Sequence, residues 1–171
     1  MKYKKSQISQ VFIYIMALFI FALILYYGYY SISSFIQRGE EVAFIKFKTE
    51  LESEFDVLLP QYGSVSIFNE KKPLKVPSDV EEICFVSSDL LGRTIDKLPG
   101  SLRNYQKDRT IKLSVAEGAE ENVFIIPREE RPSIYLTHIK VDDDFLCIPI
   151  KQGRLDIRLE SFGNYIQIDS E

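Results

Sequence analysis

Residues 11–30 read VFIYIMALFIFALILYYGYY, and every one of them is apolar or aromatic except Gly28. No charged residue occurs between Lys5 and Arg38. A helix over residues 11–32, at about 1.5 Å per residue, is about 33 Å long, which matches a hydrocarbon core of about 30 Å. The alternative is a helix buried in the core of a soluble protein, but such helices are usually shorter. The stretch therefore predicts one transmembrane helix.

The residues that flank the span indicate its orientation. Three lysines precede it, at positions 2, 4 and 5, whereas Arg38 on the other side is accompanied by Glu40 and Glu41. The positive-inside bias then favours a cytoplasmic N-terminus. Amphipathic aromatic rings prefer the headgroup layer, and four of them end the span: Tyr26, Tyr27, Tyr29 and Tyr30. We therefore predict a single-pass protein of the cell membrane with its C-terminal part outside.

The charge of the outer part limits its partners. Removing the three N-terminal lysines from the formal net charge of −4 leaves −7 for residues 11–171. This acidic balance argues against a nucleic-acid partner and against docking on anionic lipid headgroups. The chain of 171 residues leaves room for one outer domain with its own core.

The residues just before the span bear on processing. A secretory signal peptide should have an apolar region of about 7 to 15 residues and a small-x-small cleavage site, whereas this run is longer and enters the tyrosine cluster. Lys4 and Lys5, followed by Gln7, Ser9 and the apolar helix, instead resemble the class III signal of archaeal type IV pilin-like proteins. The resemblance covers the first thirty residues and implies cleavage between Ser6 and Gln7. The chain also resembles small archaeal single-pass membrane proteins that share this opening.

The resemblance implies a pilin-like structural or surface-assembly protein without catalytic activity. Its partners would be membrane lipid and, through the N-terminal helix, copies of itself or other pilin-like subunits. Two positions differ from the family pattern: Ser6 stands where glycine is usual, and Val11 stands where an acidic residue is thought to pair with a neighbouring subunit's N-terminal amine. Val11 favours an alternative function, a monomeric membrane-tethered extracytoplasmic binding or accessory module. A membrane-tethered enzyme is a third, weaker hypothesis, because a pair of carboxylates assembled only in three dimensions leaves no local motif. All three hypotheses remain open from the sequence.

Beyond the span, apolar residues recur at helical spacing. They are Phe44, Phe47, Leu51, Phe55 and Leu58. Gly39 is the expected break, and Pro60 with Gly63 ends the pattern, so we predict a nearly continuous helix over residues 8–59. An apolar stripe under a globular head is also the pilin arrangement, although ordinary core packing without a filament role would give the same pattern. The chain then divides into a leader (1–6), a transmembrane and amphipathic helix (7–59) and an extracytoplasmic β-rich domain (60–171).

Residues 60–171 read mainly as short strands bounded by proline, glycine or charged turns. The predicted strands are Ser64–Phe68, Glu82–Val86, Val123–Ile126, Ser133–Val141, Phe145–Ile150, Arg154–Glu160 and Tyr165–Ile168. Polar and apolar residues alternate most clearly in Arg154–Glu160. Turns at 142–144 and 151–153 would make the last four strands a meander, and residues 89–109 read as a loop with a short helix. The predicted fold class is α+β, a long helix followed by a mainly antiparallel β domain.

The two cysteines of the chain, Cys84 and Cys147, both fall within predicted strands. A position outside the membrane permits a disulfide between them. Two buried free thiols are the alternative, because cysteine packs as a small hydrophobe. Two cysteines without accompanying histidines do not predict a zinc site.

The remaining candidates for chemistry are weak. His138 is the only histidine and has no nucleophile beside it in the sequence, so we expect a structural or surface role. Asp142–Asp144 lack the ligand spacing and turn glycine of an EF-hand loop, which favours a solvated turn over a calcium site. The sequence contains no Gly-rich phosphate loop, HExxH, GxSxG or paired CxxC motif. We therefore expect no enzymatic activity, cofactor or metal.

Overall fold

The computed structural model describes residues 5–128 and 132–170, except for the side chains of residues 5–10 and 34–38. The chain divides into two compact units, which we call the N-terminal unit (Met1–Val42) and the C-terminal unit (Ala43–Glu171). Helix α1 (Lys5–Leu58, 54 residues) supplies residues to both. The long helix predicted over residues 8–59 is therefore confirmed.

The N-terminal unit contains the apolar part of α1. Residues Val11–Ser33 are long and apolar enough to cross a membrane, with a mean hydropathy of 2.4. None of this span is buried by the protein. A core helix of a soluble protein would be covered by other elements, so the exposed span disfavours that alternative.

In its described residues, the C-terminal unit combines the end of α1 with short strands, two further α-helices and three short 3-10 helices. Its strands are β1 (Val65–Phe68), β2 (Leu74–Lys75), β3 (Glu82–Val86), β4 (Val123–Ile126), β5 (Ile139–Val141), β6 (Phe145–Pro149), β7 (Arg154–Leu155), β8 (Ile157–Ser161) and β9 (Ile166–Ser170). They form sheets with the strand orders β1-β8-β9-β5, β4-β3-β6 and β2-β7. Adjacent strands are antiparallel except β5 and β9. The α+β class is thus confirmed.

The apolar stripe of α1 belongs to the core of the C-terminal unit. All five predicted stripe residues are buried, and Phe47 and Leu51 are completely inaccessible to solvent. They share one hydrophobic cluster with inward-facing residues of β8 and β9, which include Ile157, Leu159, Ile166 and Ile168. An amphipathic helix therefore covers one face of a half-buried sheet, as both patterns require.

Strand β3 lies in the middle of its sheet and is buried on both faces. Ile83 and Phe85 join the cluster that contains the α1 stripe. Cys84 and Val86 face a second cluster, formed with helices α2 (Gly100–Asn104) and α3 (Thr110–Glu117). Burial on both faces explains why this strand reads as a continuous apolar run after Glu82 instead of alternating.

The strand predicted over Ser133–Val141 is largely wrong. Only β5 at its end is a strand, while Ile134 forms an isolated bridge with Val123. The side chain of the buried Asn122 replaces strand pairing here: its amide donates to the Leu136 carbonyl at 2.7 Å, and its oxygen accepts from the Leu136 N–H at 2.8 Å. A side-chain amide can satisfy a backbone N–H and C=O as a strand neighbour would.

The alternating segment Arg154–Glu160 has the predicted burial but not the predicted continuity. Leu155, Ile157 and Leu159 are completely buried, yet the segment divides at Asp156 into β7 and β8, which pair in different sheets. The turn at 151–153 is confirmed, because Gln152 and Gly153 have φ angles of 55° and 69° and Lys151 pairs with Arg154. Positive φ at both central residues defines the tight type I′ hairpin turn.

The predicted C-terminal meander is wrong. β5 pairs with β9, and β6 pairs with β3 in another sheet. The turn between β5 and β6 is present at Asp142–Asp144, with positive φ at Asp143 and Asp144. It redirects the chain from one sheet to the next instead of folding it back into a hairpin.

Candidate functional site

Cys84 and Cys147 lie directly opposite each other on the antiparallel strands β3 and β6. Their Cα atoms are 3.9 Å apart, and a disulfide bond joins the two sulfurs. Cys84 is completely buried and Cys147 is half-buried. Both cysteines of the chain are therefore in the bridge, and it ties together two strands that are 63 positions apart in the sequence.

A buried carboxylate lies next to the disulfide. Glu82 is two positions before Cys84 on β3 and so projects from the same face of the strand. Its side chain is almost fully buried, and its carboxylate accepts hydrogen bonds from the Tyr105 hydroxyl and from Lys107 Nζ, the latter at 2.7 Å. A buried carboxylate needs such donors, because burial of an unpaired charge is costly. Tyr105 and Lys107, which follow α2, thus supply hydrogen bonds to the buried carboxylate at the start of β3.

The two donors keep their protons. Burial, together with the hydrogen bond to Glu82, raises the pKa of Tyr105 above its ordinary value. The hydrogen bond to Glu82 raises the pKa of the exposed Lys107. At neutral pH Tyr105 is therefore a neutral phenol and Lys107 a positively charged ammonium group.

The sulfurs and the carboxylate form one compact group. One ligand atom from each of Glu82, Cys84 and Cys147 lies within 4.8 Å of the other two. The Tyr105 hydroxyl is 3.6 Å from Cys84 Sγ, and its ring packs edge-on against Phe145. We call Glu82, Cys84, Tyr105, Lys107 and Cys147 the Glu82 cluster. In the disulfide state the two sulfurs are bonded to each other, so the cluster cross-links β3 to β6 and offers no thiolates to a metal ion.

An open cleft of about 1020 Å³ lies between α3 and the end of β4. The carboxylate of Glu121 in its wall is largely buried and bonds to Arg128 Nη2 at 2.5 Å and to the Ser114 hydroxyl. Arg128 also lies over the ring of Phe124, 5.4 Å from its centroid. The charges of Glu121 and Arg128 are thus paired with each other in the cleft wall.

The other predicted candidates are dispersed. Ser6 and Gln7 lie in the first turns of α1, and their side chains are outside the described residues. His138 is exposed with a φ of 57°, and Asp142–Asp144 form an exposed turn. Within the described residues, the group of three potential metal ligands that meet is Glu82 with the two cysteines.

Sequence reasoning found the cysteines but missed Glu82, Tyr105 and Lys107. The spacing of Glu82 and Cys84 in a predicted strand was a usable signal, since residues i and i+2 share a face. Tyr105 and Lys107 gave no such signal, because they reach Glu82 through loop structure 23 and 25 positions away.

Comparisons with protein-family models, with curated proteins and with solved structures found no match.

Proposed function

We propose that this chain is a membrane-anchored, pilin-like structural or surface-assembly protein without catalytic activity. The proposal rests on one observation: α1 has an uncovered apolar part and a part that is buried in the C-terminal unit. Residues 11–33 present an uncovered apolar surface, and the last turns of the same helix supply the buried stripe of the C-terminal unit. An uncovered apolar helix can pack in lipid against equivalent helices, while its continuation holds a globular domain.

The proposed orientation has the N-terminus in the cytoplasm and the C-terminal unit outside. Lys2, Lys4 and Lys5 before the span support it through the positive-inside bias. The disulfide between Cys84 and Cys147 is a second support, because disulfides persist in oxidising compartments and are rare in the cytosol.

The mature N-terminus tests the pilin-like function. We expect mass spectrometry of protein purified from its native membrane to find a chain that starts at Gln7. Chemical cross-linking in the membrane should then join processed copies to one another or to other small subunits. An intact Met1 would contradict the proposal.

The second candidate function is a monomeric, membrane-tethered binding or accessory module outside the cell. Val11 favours it, because the family's intersubunit partner for the N-terminal amine is acidic and valine cannot replace it. A processed chain that gives no cross-linked species at native abundance would favour this module.

Leu18→Arg should prevent stable membrane insertion. Leu18 lies near the middle of the span and is 72% exposed in the protein, and a central arginine costs roughly 2.5 to 3.5 kcal/mol on insertion scales. We expect the variant to be lost from the membrane fraction and to lose cleavage beyond Arg38 by protease added outside intact cells. Thr49→Arg, on the exposed face of α1 in the C-terminal unit, is the control and should be retained. Membrane retention of Leu18→Arg would show that residues 11–33 are not the anchor.

A further inference from the structure

We propose that reduction of the Cys84–Cys147 disulfide converts the Glu82 cluster into a binding site for a soft divalent cation such as Zn²⁺. The site is independent of the assembly function proposed above. It depends on a carboxylate that the protein places beside both sulfurs, with one ligand atom from each residue within 4.8 Å of the others. Two thiolates and one carboxylate are ligands that Zn²⁺ prefers, and they leave a fourth tetrahedral position for water.

The strands hold these ligands independently of the disulfide. Cys84 and Cys147 are paired by the register of β3 and β6, and Glu82 pairs with Pro149 in the same ladder. β3 is also hydrogen-bonded to β4 on its other side, and both of its faces are buried. When the S–S bond opens, the two sulfurs therefore remain neighbours on one face of the sheet, beside the carboxylate.

Entry to the site is through Cys147 and Lys107. Cys147 is half-buried and Cys84 is completely buried, so Cys147 is the cysteine of the pair that lies nearer the solvent. Lys107 covers the Glu82 carboxylate with a side chain that is 57% exposed. This long cation can move into solvent when a metal ion replaces it, while Tyr105 continues to orient the carboxylate by donating a hydrogen bond.

The chemistry requires a dithiol reductant. One thiolate of the reductant attacks the Cys147 sulfur, the S–S bond breaks, and Cys84 leaves as a thiolate that takes up a proton. The second thiol of the reductant then displaces Cys147, so the reductant becomes a cyclic disulfide and the protein gains two electrons and two protons. Binding of the cation as a bis-thiolate complex releases those two protons.

The experiment uses the full chain in detergent, with Cd²⁺ as the probe because its thiolate complexes absorb in the ultraviolet. The protein is reduced with dithiothreitol, and the reductant is removed in the absence of oxygen. The reduced protein is titrated with Cd²⁺, and Zn²⁺ is then added to compete for the site. We expect one Cd²⁺ per reduced chain and none in the oxidised chain. Glu82→Gln should weaken binding about tenfold or more. Lys107→Ala should strengthen it, because the lysine competes with the cation for the carboxylate.

Three results would overturn the proposal. The first is a reduced chain that keeps its near-ultraviolet circular dichroism but gives no thiolate absorption with Cd²⁺. The second is loss of that dichroism on reduction, because the strands would then not hold the ligands in place. The third is equal Cd²⁺ affinity in the wild type and Glu82→Gln, which would show that the carboxylate is not a ligand. Near-ultraviolet circular dichroism of the oxidised Glu82→Gln and Lys107→Ala chains checks that both variants fold before their affinities are compared.

Discussion

Phe47→Ala is expected to lower the free energy of unfolding of the C-terminal unit by about 3 to 5 kcal/mol. Phe47 is completely buried in the middle of the α1 stripe, within the cluster that contains Leu159 and Ile168. Removing the ring deletes its transfer free energy and leaves a cavity that close-packed neighbours fill only in part. Chemical denaturation of the full chain in detergent, followed by the near-ultraviolet dichroism of its tyrosines, measures the loss.

Ile45→Ala is the matched control for Phe47→Ala. It lies two positions away on the same helix, but its side chain is 52% exposed. Surface substitutions of this kind usually change stability by less than about 0.5 kcal/mol. If both variants lost the same stability, or if Phe47→Ala lost less than about 1 kcal/mol, the stripe would not be the core of the C-terminal unit.

Cys147→Ser should cost about 4 kcal/mol in unfolding free energy. The bridge closes a loop between residues 63 positions apart, and in the chain-entropy model a loop of this length restricts the unfolded state by about that amount. Chemical denaturation measures the unfolding free energies of the oxidised wild type, the reduced wild type and the variant. Reduced wild type is the control and should lose a similar amount, since it lacks the same cross-link. Losses below about 1 kcal/mol in both would show that the bridge contributes little.

Local periodicity explains which parts of the fold could be predicted. The α1 stripe and the strand Glu82–Val86 could each be predicted from their own residues. A helix with one buried face requires apolar residues at helical spacing, and a strand buried on both faces requires a continuous apolar run. Helix α3 could not be predicted in this way, because its N-cap residue Arg109 makes no side-chain capping hydrogen bond. Asp108 before it does accept the backbone N–H of Thr110, at 2.7 Å. The short length of α3 and its two buried residues, Ile111 and Val115, gave too weak a period to identify it.

Strand pairing could not be predicted in the same way. The parallel pairing of β5 with β9 and the transfer of the chain between sheets at Asp156 depend on contacts between distant segments, which leave no local pattern. The same limit applies to the Glu82 cluster. Its two cysteines could be recognised singly, but the donors Tyr105 and Lys107 are brought to Glu82 by the path of a loop.

The burial of the α1 stripe in the C-terminal unit bears on how that unit could be released from a membrane. A protease that cut after Leu59 would separate it from Phe44, Phe47, Leu51, Phe55 and Leu58, all of which are buried in its core. The fragment 60–171 would expose the apolar surface that these residues cover, and it would aggregate or unfold instead of diffusing away. Release of an intact domain therefore requires a cut before Phe44. The cleavage site would have to lie in the short stretch between the span and the stripe.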